Sequence, residues 1–142
     1  MTLTVIGSKP TPEVLALDSP ENGIKVVGYA KDVAPYFEKA RVFVSPLRYG
    51  AGIKGKNIQA MSFGLPMVTT AIGAEGLNFI DYKNALIANK PEEFTQKVIK
   101  LYADRELWES ISRNSLKYVE NNNSPKAAWN KFKNLFQNLM GK

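Results

Sequence analysis

Five short apolar runs, separated by segments with helical features, constrain what this chain can fold into more than any other property. They are residues 3–6, 24–27, 41–44, 67–69 and, more weakly, 85–88. Their apolar residues are continuous rather than alternating, which is the pattern of strands buried on both faces of a parallel sheet. The intervening segments carry helix signals. Thr11 stands as N-cap to a short helix over 12–17, and Asp32 caps 33–40, where Pro35 is tolerated because it falls in the first turn. Residues 54–63 are helical and stop at Gly64. Strand, helix and strand in alternation predict an α/β domain, a doubly wound parallel sheet flanked by helices. Ligands of such sheets bind at the carboxyl ends of the strands, so the loops after Val27, Val44 and Thr70 are expected to converge on one site.

From about residue 91 the chain reads as a helical tail. Phe94, Val98, Ile99, Leu101 and Tyr102 recur at helical spacing, as do Leu107, Trp108, Ile111, Leu116, Tyr118 and Val119. Asn121-Asn-Asn123 is expected to break this second helix, and Ser124-Pro125 to cap a last one. That helix carries Ala128, Trp129, Phe132, Leu135, Phe136 and Leu139, which read as core. The alternative is a face packed on a missing partner domain or a membrane surface. Met61 and Phe63 also read as core.

The 142 residues form one expected domain, 1–142, long enough to bury a core. Cysteine and histidine are both absent. The chain therefore has no thiolate nucleophile and lacks the commonest base near pH 7. The net charge of +6 suits phosphates, nucleic acids or anionic membranes. It is diluted along the chain without a recognised motif, so nucleic acid is not an expected partner. No apolar run approaches the roughly 20 residues of a membrane span, and no signal peptide is recognisable. The chain begins almost directly on a strand, which suggests a piece of a larger protein.

The chemistry lies in Arg48-Tyr-Gly-Ala-Gly-Ile-Lys-Gly-Lys56. A strand feeds a loop rich in glycine and lysine that runs into a helix. Glycines allow close backbone approach, helix-start amides point outward and the lysines add charge, which together make a phosphate-binding arrangement. The span from Gly50 to Lys56 fits G-x-x-x-x-G-K, but Asn57 stands where a nucleoside triphosphatase needs Ser or Thr for Mg²⁺. Gly50, Gly52 and Gly55 also spell G-x-G-x-x-G. They do not follow the first strand, and no acidic residue ends the next one, as a dinucleotide site requires.

A series of landmarks carries a resemblance. They are Val26-Val-Gly-Tyr-Ala-Lys-Asp32, the stretch 40–56, Gln59-Ala-Met-Ser-Phe-Gly-Leu-Pro-Met-Val-Thr-Thr70 and Gly73-Ala-Glu-Gly-Leu77. In this order they resemble the C-terminal domain of GT-B glycosyltransferases, family 4 (group 1). The resemblance implies a Rossmann-like parallel sheet flanked by helices, one half of a GT-B fold, with a hexosyl group transferred from a nucleotide-diphospho-sugar with retention. The acceptor would be a glycan or a lipid-linked molecule. Gly52, Ile53, Lys54, Gly55 and Lys56 would hold the diphosphate, with Lys54 or Lys56 assisting. The turn containing Ala30 and Asp32 would border the base, and Pro46 would close the pocket. Gln59 stands where the family usually places a glutamate on the ribose hydroxyls, so ribose binding is expected to be weakened or altered. An earlier, more variable family glutamate falls at Ala51.

The resemblance assigns no catalytic residue to this chain, expects no cofactor and no metal, and places the acceptor-binding N-terminal domain outside it. The isolated chain is expected not to turn over. The full-length enzyme would be cytoplasmic, with room for peripheral attachment at the inner face of the membrane. Gln59 keeps a second reading open, a catalytically lapsed GT-B-like binding or scaffolding module. An epimerase of the same shape is disfavoured by the absence of histidine.

Overall fold

The computed structural model describes residues 1–140. It divides into two compact units, Met1–Tyr36 and the remainder from Phe37. In the first unit, β1 (Leu3–Ile6) pairs in parallel with β2 (Ile24–Gly28), Leu3 opposite Ile24. Between them lie α1 (Pro12–Leu15) and a single 3-10 turn, Pro20–Asn22. Thr11 occupies the N-cap position of α1 with extended backbone, but its side chain makes no capping bond.

The second unit carries the remaining strands. β3 (Phe43–Ser45), β4 (Met67–Thr69) and β5 (Leu86–Ile87) form a parallel sheet in that order, with Val44 opposite Val68 and Val68 opposite Leu86. The five strands thus form two parallel sheets, one of two strands and one of three. Successive side chains of a strand point to opposite faces, and both faces of β4 are covered. Val68 and Leu86 pack with Leu101 and Ile111, while Met67 and Ala85 pack with Met61. All seven are fully buried. Removing each larger side chain from water stabilises the fold by about 1.5–3 kcal/mol.

The helices cover this sheet. α2 (Ala34–Lys39) precedes β3, α3 (Gly55–Ser62) joins β3 to β4, and α4 (Ala71–Ala74) follows β4. The sequence pattern did not reveal α4, which is too short for periodicity to show. α3 ends at Gly64, whose φ of 66° is a left-handed value glycine tolerates. α5 (Pro91–Ala103) starts with proline in its first turn, and Asp104 alone separates it from α6 (Arg105–Asn123). The Asp104 carboxylate accepts from the Leu107 amide at 2.9 Å and caps α6. α6 also serves the loops beneath it. Ser112 donates to the Gly64 carbonyl at 2.6 Å, Ser115 to Asn84 at 3.0 Å, and the Tyr118 hydroxyl to Leu77.

Two expectations need correction here. The asparagine run does not break α6, because the Asn122 amide donates back to the Tyr118 carbonyl at 2.9 Å and the helix continues to Asn123. The break falls at Ser124, which precedes proline and takes an extended backbone. Ser124 Oγ then accepts from the Ala127 amide at 3.1 Å and opens α7 (Pro125–Met140).

The second correction concerns the aromatics of α7. Trp129, Phe132, Leu135, Phe136 and Leu139 are exposed, and only Ala127 of this helix is buried. Phe63 is likewise 40% exposed, stacked on Phe37 with ring centroids 5.3 Å apart. Met61 is buried as expected. Among the described residues no helix is long and apolar enough to cross a membrane.

Candidate functional site

The glycine-rich loop leaves the carboxyl end of β3 and enters α3, so strand and helix fix both of its ends. Inside it, Gly50 and Gly52 take φ values of 125° and 76°, which side-chain-bearing residues avoid. None of the backbone amides at residues 48–56 donates to an acceptor among the described residues. The loop is exposed at Gly52, Ile53, Gly55 and Lys56, so solvent or a ligand can reach it. The first paired amide is that of Asn57, on the Lys54 carbonyl at 2.9 Å. Lys54 sits at the N-cap position with no side-chain cap, leaving the positive end of the α3 dipole uncovered. A run of free donors at an uncapped helix start is suited to an anion.

The two lysines behave differently. The Lys54 ammonium turns back into the loop, donating to the Gly50 carbonyl at 3.2 Å and to the Gly52 carbonyl, and it lies 3.7 Å from the Glu75 carboxylate. Its side chain is only 10% exposed. Lys56 is exposed and makes no ion pair among the described residues. Of the two lysines the sequence offers for an anion, Lys56 is therefore the one whose charge is free. Gln59 lies one turn beyond Lys56 on the same side of α3 and is exposed. Pro46 is exposed at the start of the loop.

The loop after β4 meets the loop after β3. Thr70 Oγ1 donates to the Leu47 carbonyl at 2.7 Å and accepts from the Gly73 amide at 3.1 Å, capping α4. Thr69 Oγ1 donates to the Ser45 carbonyl at 3.2 Å. Asn57, fully buried, donates to the Gly73 carbonyl at 2.8 Å. Asn57 Oδ1 and Ser45 Oγ are buried without a protein partner. The turn over residues 73–76 is thereby fastened to the first turn of α3. Sequence reasoning saw Asn57 only as the missing hydroxyl of a triphosphatase loop and gave Gly73 no role. The signal was a glycine three residues after Thr70, where a cap needs a close amide.

Of the three loops expected to converge, these two meet. The third, after β2, is described within its own unit. Gly28 turns the chain with φ 74°, Ala30 is half-buried, and the exposed Asp32 carboxylate accepts from the Ala34 amide at 2.9 Å. A separate cavity of about 230 Å³ is lined by Tyr82, Glu93, Gln96, Lys97 and Lys100 and shares no residue with the loop. Its Lys97 is already committed, at 2.7 Å from Asp81 and 3.1 Å from Glu93. Burial opposes the Lys97 charge, but hydrogen bonds to Asp81 and Glu93 outweigh it and raise the ammonium pKa above the ordinary lysine value. The cavity therefore offers no uncompensated buried charge.

Known proteins resemble the chain along most of its length. The family described as "Glycosyl transferases group 1" matches residues 1–104. The capsular polysaccharide biosynthesis glycosyltransferase CapM of Staphylococcus aureus is 25% identical over an alignment of 146 positions, which covers 97% of this chain and 38% of CapM. Among solved structures, the fold is similar to that of Anabaena Alr3699/HepE in complex with UDP. The TM-score is 0.78 at 14% identity, over 96% of this chain and 41% of that one. It is also similar to the C-terminal domain of a glycosyl transferase group 1 family protein (LpcC) from Francisella tularensis. Here the TM-score is 0.69 at 20% identity, over 84% of this chain and 68% of that one. The chain spans between 21% and 38% of the length of the curated relatives it matches.

Proposed function

The chain belongs to the glycosyl transferases group 1 family, and from that premise we propose that the open amides of residues 48–56 hold the diphosphate of a nucleotide-sugar donor. The observation that carries this reading is their lack of any acceptor within the protein, at the uncapped start of α3 and beside the free ammonium of Lys56. Gly52, Ile53, Lys54 and Gly55 supply backbone to that grip, and Lys56 adds a point charge. Gln59, one turn on, offers a carbonyl oxygen to the ribose. Pro46 forms a wall.

The reaction breaks the bond between the anomeric carbon and the diphosphate. Negative charge grows on the departing phosphate oxygens, and donors already aimed there stabilise it without reorganising. In this reading the longer protein transfers a hexosyl group to a glycan or lipid-linked acceptor with retention. An N-terminal acceptor domain would lie in the remainder of that protein, which would work in the cytoplasm and could attach at the inner face of the membrane. The likeness to CapM favours polysaccharide assembly as the setting. The chain by itself binds donor weakly and does not turn over. Gln59 in place of glutamate favours a second reading, a lapsed module that retains the fold but not the affinity.

Calorimetric titration of the chain with UDP, GDP and ADP tests both readings. Binding of one diphosphate, weakened at least tenfold in Lys56→Ala and strengthened in Gln59→Glu, is the expected result; the Lys56 effect follows from losing a charge-assisted contact of about 1.5–3 kcal/mol. Binding by Gln59→Glu alone would select the lapsed module. Silence from both variants and wild type would remove the donor site.

A further inference from the structure

We propose that Lys54 and Glu75 form an internal latch that presets the anion-binding loop, and that the Lys54 side chain acts only in positioning, its ammonium never touching the diphosphate. The inference deepens the donor-site reading and rests on it for its effect on affinity.

The geometry comes from three directions. Lys54 Nζ reaches the carbonyls of Gly50 and Gly52 from inside the loop. Each peptide unit that turns its oxygen toward this ammonium directs the following N–H the opposite way. Two inward carbonyls, set by the positive φ values of Gly50 and Gly52, therefore help to turn donors outward. The third contact of the ammonium is Glu75, 3.7 Å away. A lysine side chain left 10% exposed and ringed by two carbonyls and a carboxylate has its charge answered within the protein.

Glu75 is placed for this task by the turn that bears it. That turn is tied to α3 through the Asn57 bond to the Gly73 carbonyl at 2.8 Å. On its far side, Gly76 has a φ of 72°, and a methyl group added there would lie 3.2 Å from Ile53 Cγ1. The turn thus grips the loop at Ile53, Lys54 and Asn57, immediately around Gly55 and Lys56. The Glu75 carboxylate, 59% exposed, has no other ion pair or side-chain hydrogen bond among the described residues.

The latch makes a prediction whose sign opposes simple electrostatics. Deleting a carboxylate near an anion site raises the local potential and should tighten anion binding. If Glu75 holds Lys54 and the loop in place, deleting it instead loosens the loop, and binding must then include the cost of ordering it. The test uses Glu75→Ala and Lys54→Met in the 142-residue chain, with Lys56→Ala for comparison. Two readouts are taken: UDP affinity, and the heteronuclear NOE of the Gly50 and Gly52 amides without ligand.

Expected are UDP affinities roughly five- to tenfold weaker in Glu75→Ala and weaker still in Lys54→Met, in line with an added ordering cost. Both variants should show a lowered NOE at Gly50 and Gly52. Lys56→Ala should lose affinity with the NOE unchanged. Tighter or unaltered binding by Glu75→Ala would overturn the latch. If wild type binds none of UDP, GDP and ADP, the donor reading fails, and the NOE alone decides the latch: unchanged values in Glu75→Ala and Lys54→Met overturn it.

Discussion

Gly73→Ala is predicted to destabilise the chain, although glycine to alanine within a helix ordinarily stabilises by about 1 kcal/mol. Gly73 lies in α4 without a positive φ, so backbone freedom does not explain the glycine. Space does. A Cβ at this position would stand 2.1 Å from Thr69 Oγ1 and 3.4 Å from the Ser45 carbonyl oxygen. Thr69 is fully buried and cannot swing into solvent. Relief requires turning its hydroxyl away from Ser45, losing the 3.2 Å bond, or shifting α4 and disturbing the Thr70 cap and the Asn57 bond. Overpacking a tight site costs about 1–3 kcal/mol. A lost hydrogen bond adds about 0.5–1.5 kcal/mol, at the lower end because the Ser45 carbonyl keeps the Leu47 amide at 2.9 Å. The sum is a loss of about 1.5–3.5 kcal/mol.

Urea unfolding followed by circular dichroism measures it. Thr69→Ala supplies the control, since it removes the colliding oxygen and leaves two ordinary contacts at 3.4 Å, to the Ser45 carbonyl oxygen and to the Cβ at position 69. In that background the cost of Gly73→Ala should fall to within about 0.5 kcal/mol of zero, a coupling of the size neighbouring residues show. A Gly73→Ala protein as stable as wild type, or a cost undiminished by Thr69→Ala, would refute the steric argument.

Further expectations follow from single interactions. Asp104→Ala removes the cap on Leu107 and should cost about 1 kcal/mol in the same assay. Leu101→Ala empties a fully buried site between β4, α5 and α6 and should cost about 2–5 kcal/mol. Lys97 has a raised pKa, so its ion pairs contribute in full below the ordinary lysine value of about 10.4 and are lost as pH rises through the folded value. Burial also raises the Tyr118 phenol, whose contribution is likewise lost with rising pH. Stability should therefore fall on the alkaline side, and Lys97→Met should flatten that fall in urea titrations carried above about pH 10. Parallel profiles would contradict the assignment.

The fold was legible wherever a local pattern forces the outcome. The apolar run at β4 is a strand buried on both faces and that at β2 a strand only half-buried, and the Gly64 stop of α3 and the Pro91 start of α5 are properties of those residues alone. Where tertiary contacts decide, the sequence gives less. Asn121–Asn123 looks like a break, but the Asn122 side chain bonds back along its own helix. The aromatics of α7 show helical period truthfully, yet period does not say whether anything covers the face, and here it stands open.

The site divides the same way. Its glycines and lysines make the loop a candidate for anions, because glycine allows close backbone approach and lysine adds charge at a strand-to-helix junction. That Lys54 bends inward while Lys56 stays free depends on Glu75, twenty-one residues after Lys54, and on φ angles no spacing encodes. Gly73 is required by Thr69, a neighbour in space across the end of β4.

The central claim is that the open amides of residues 48–56 are the donor-phosphate site. Recording ¹H–¹⁵N correlation spectra of the chain while UDP, GDP or ADP is added tests it most directly. The largest shifts should fall on the amides of Ala51, Ile53, Gly55 and Lys56, and should need at least tenfold more ligand in Lys56→Ala. Shifts confined to residues around Tyr82, Lys97 and Lys100, or a glycine loop untouched by saturating UDP, GDP and ADP, would contradict it.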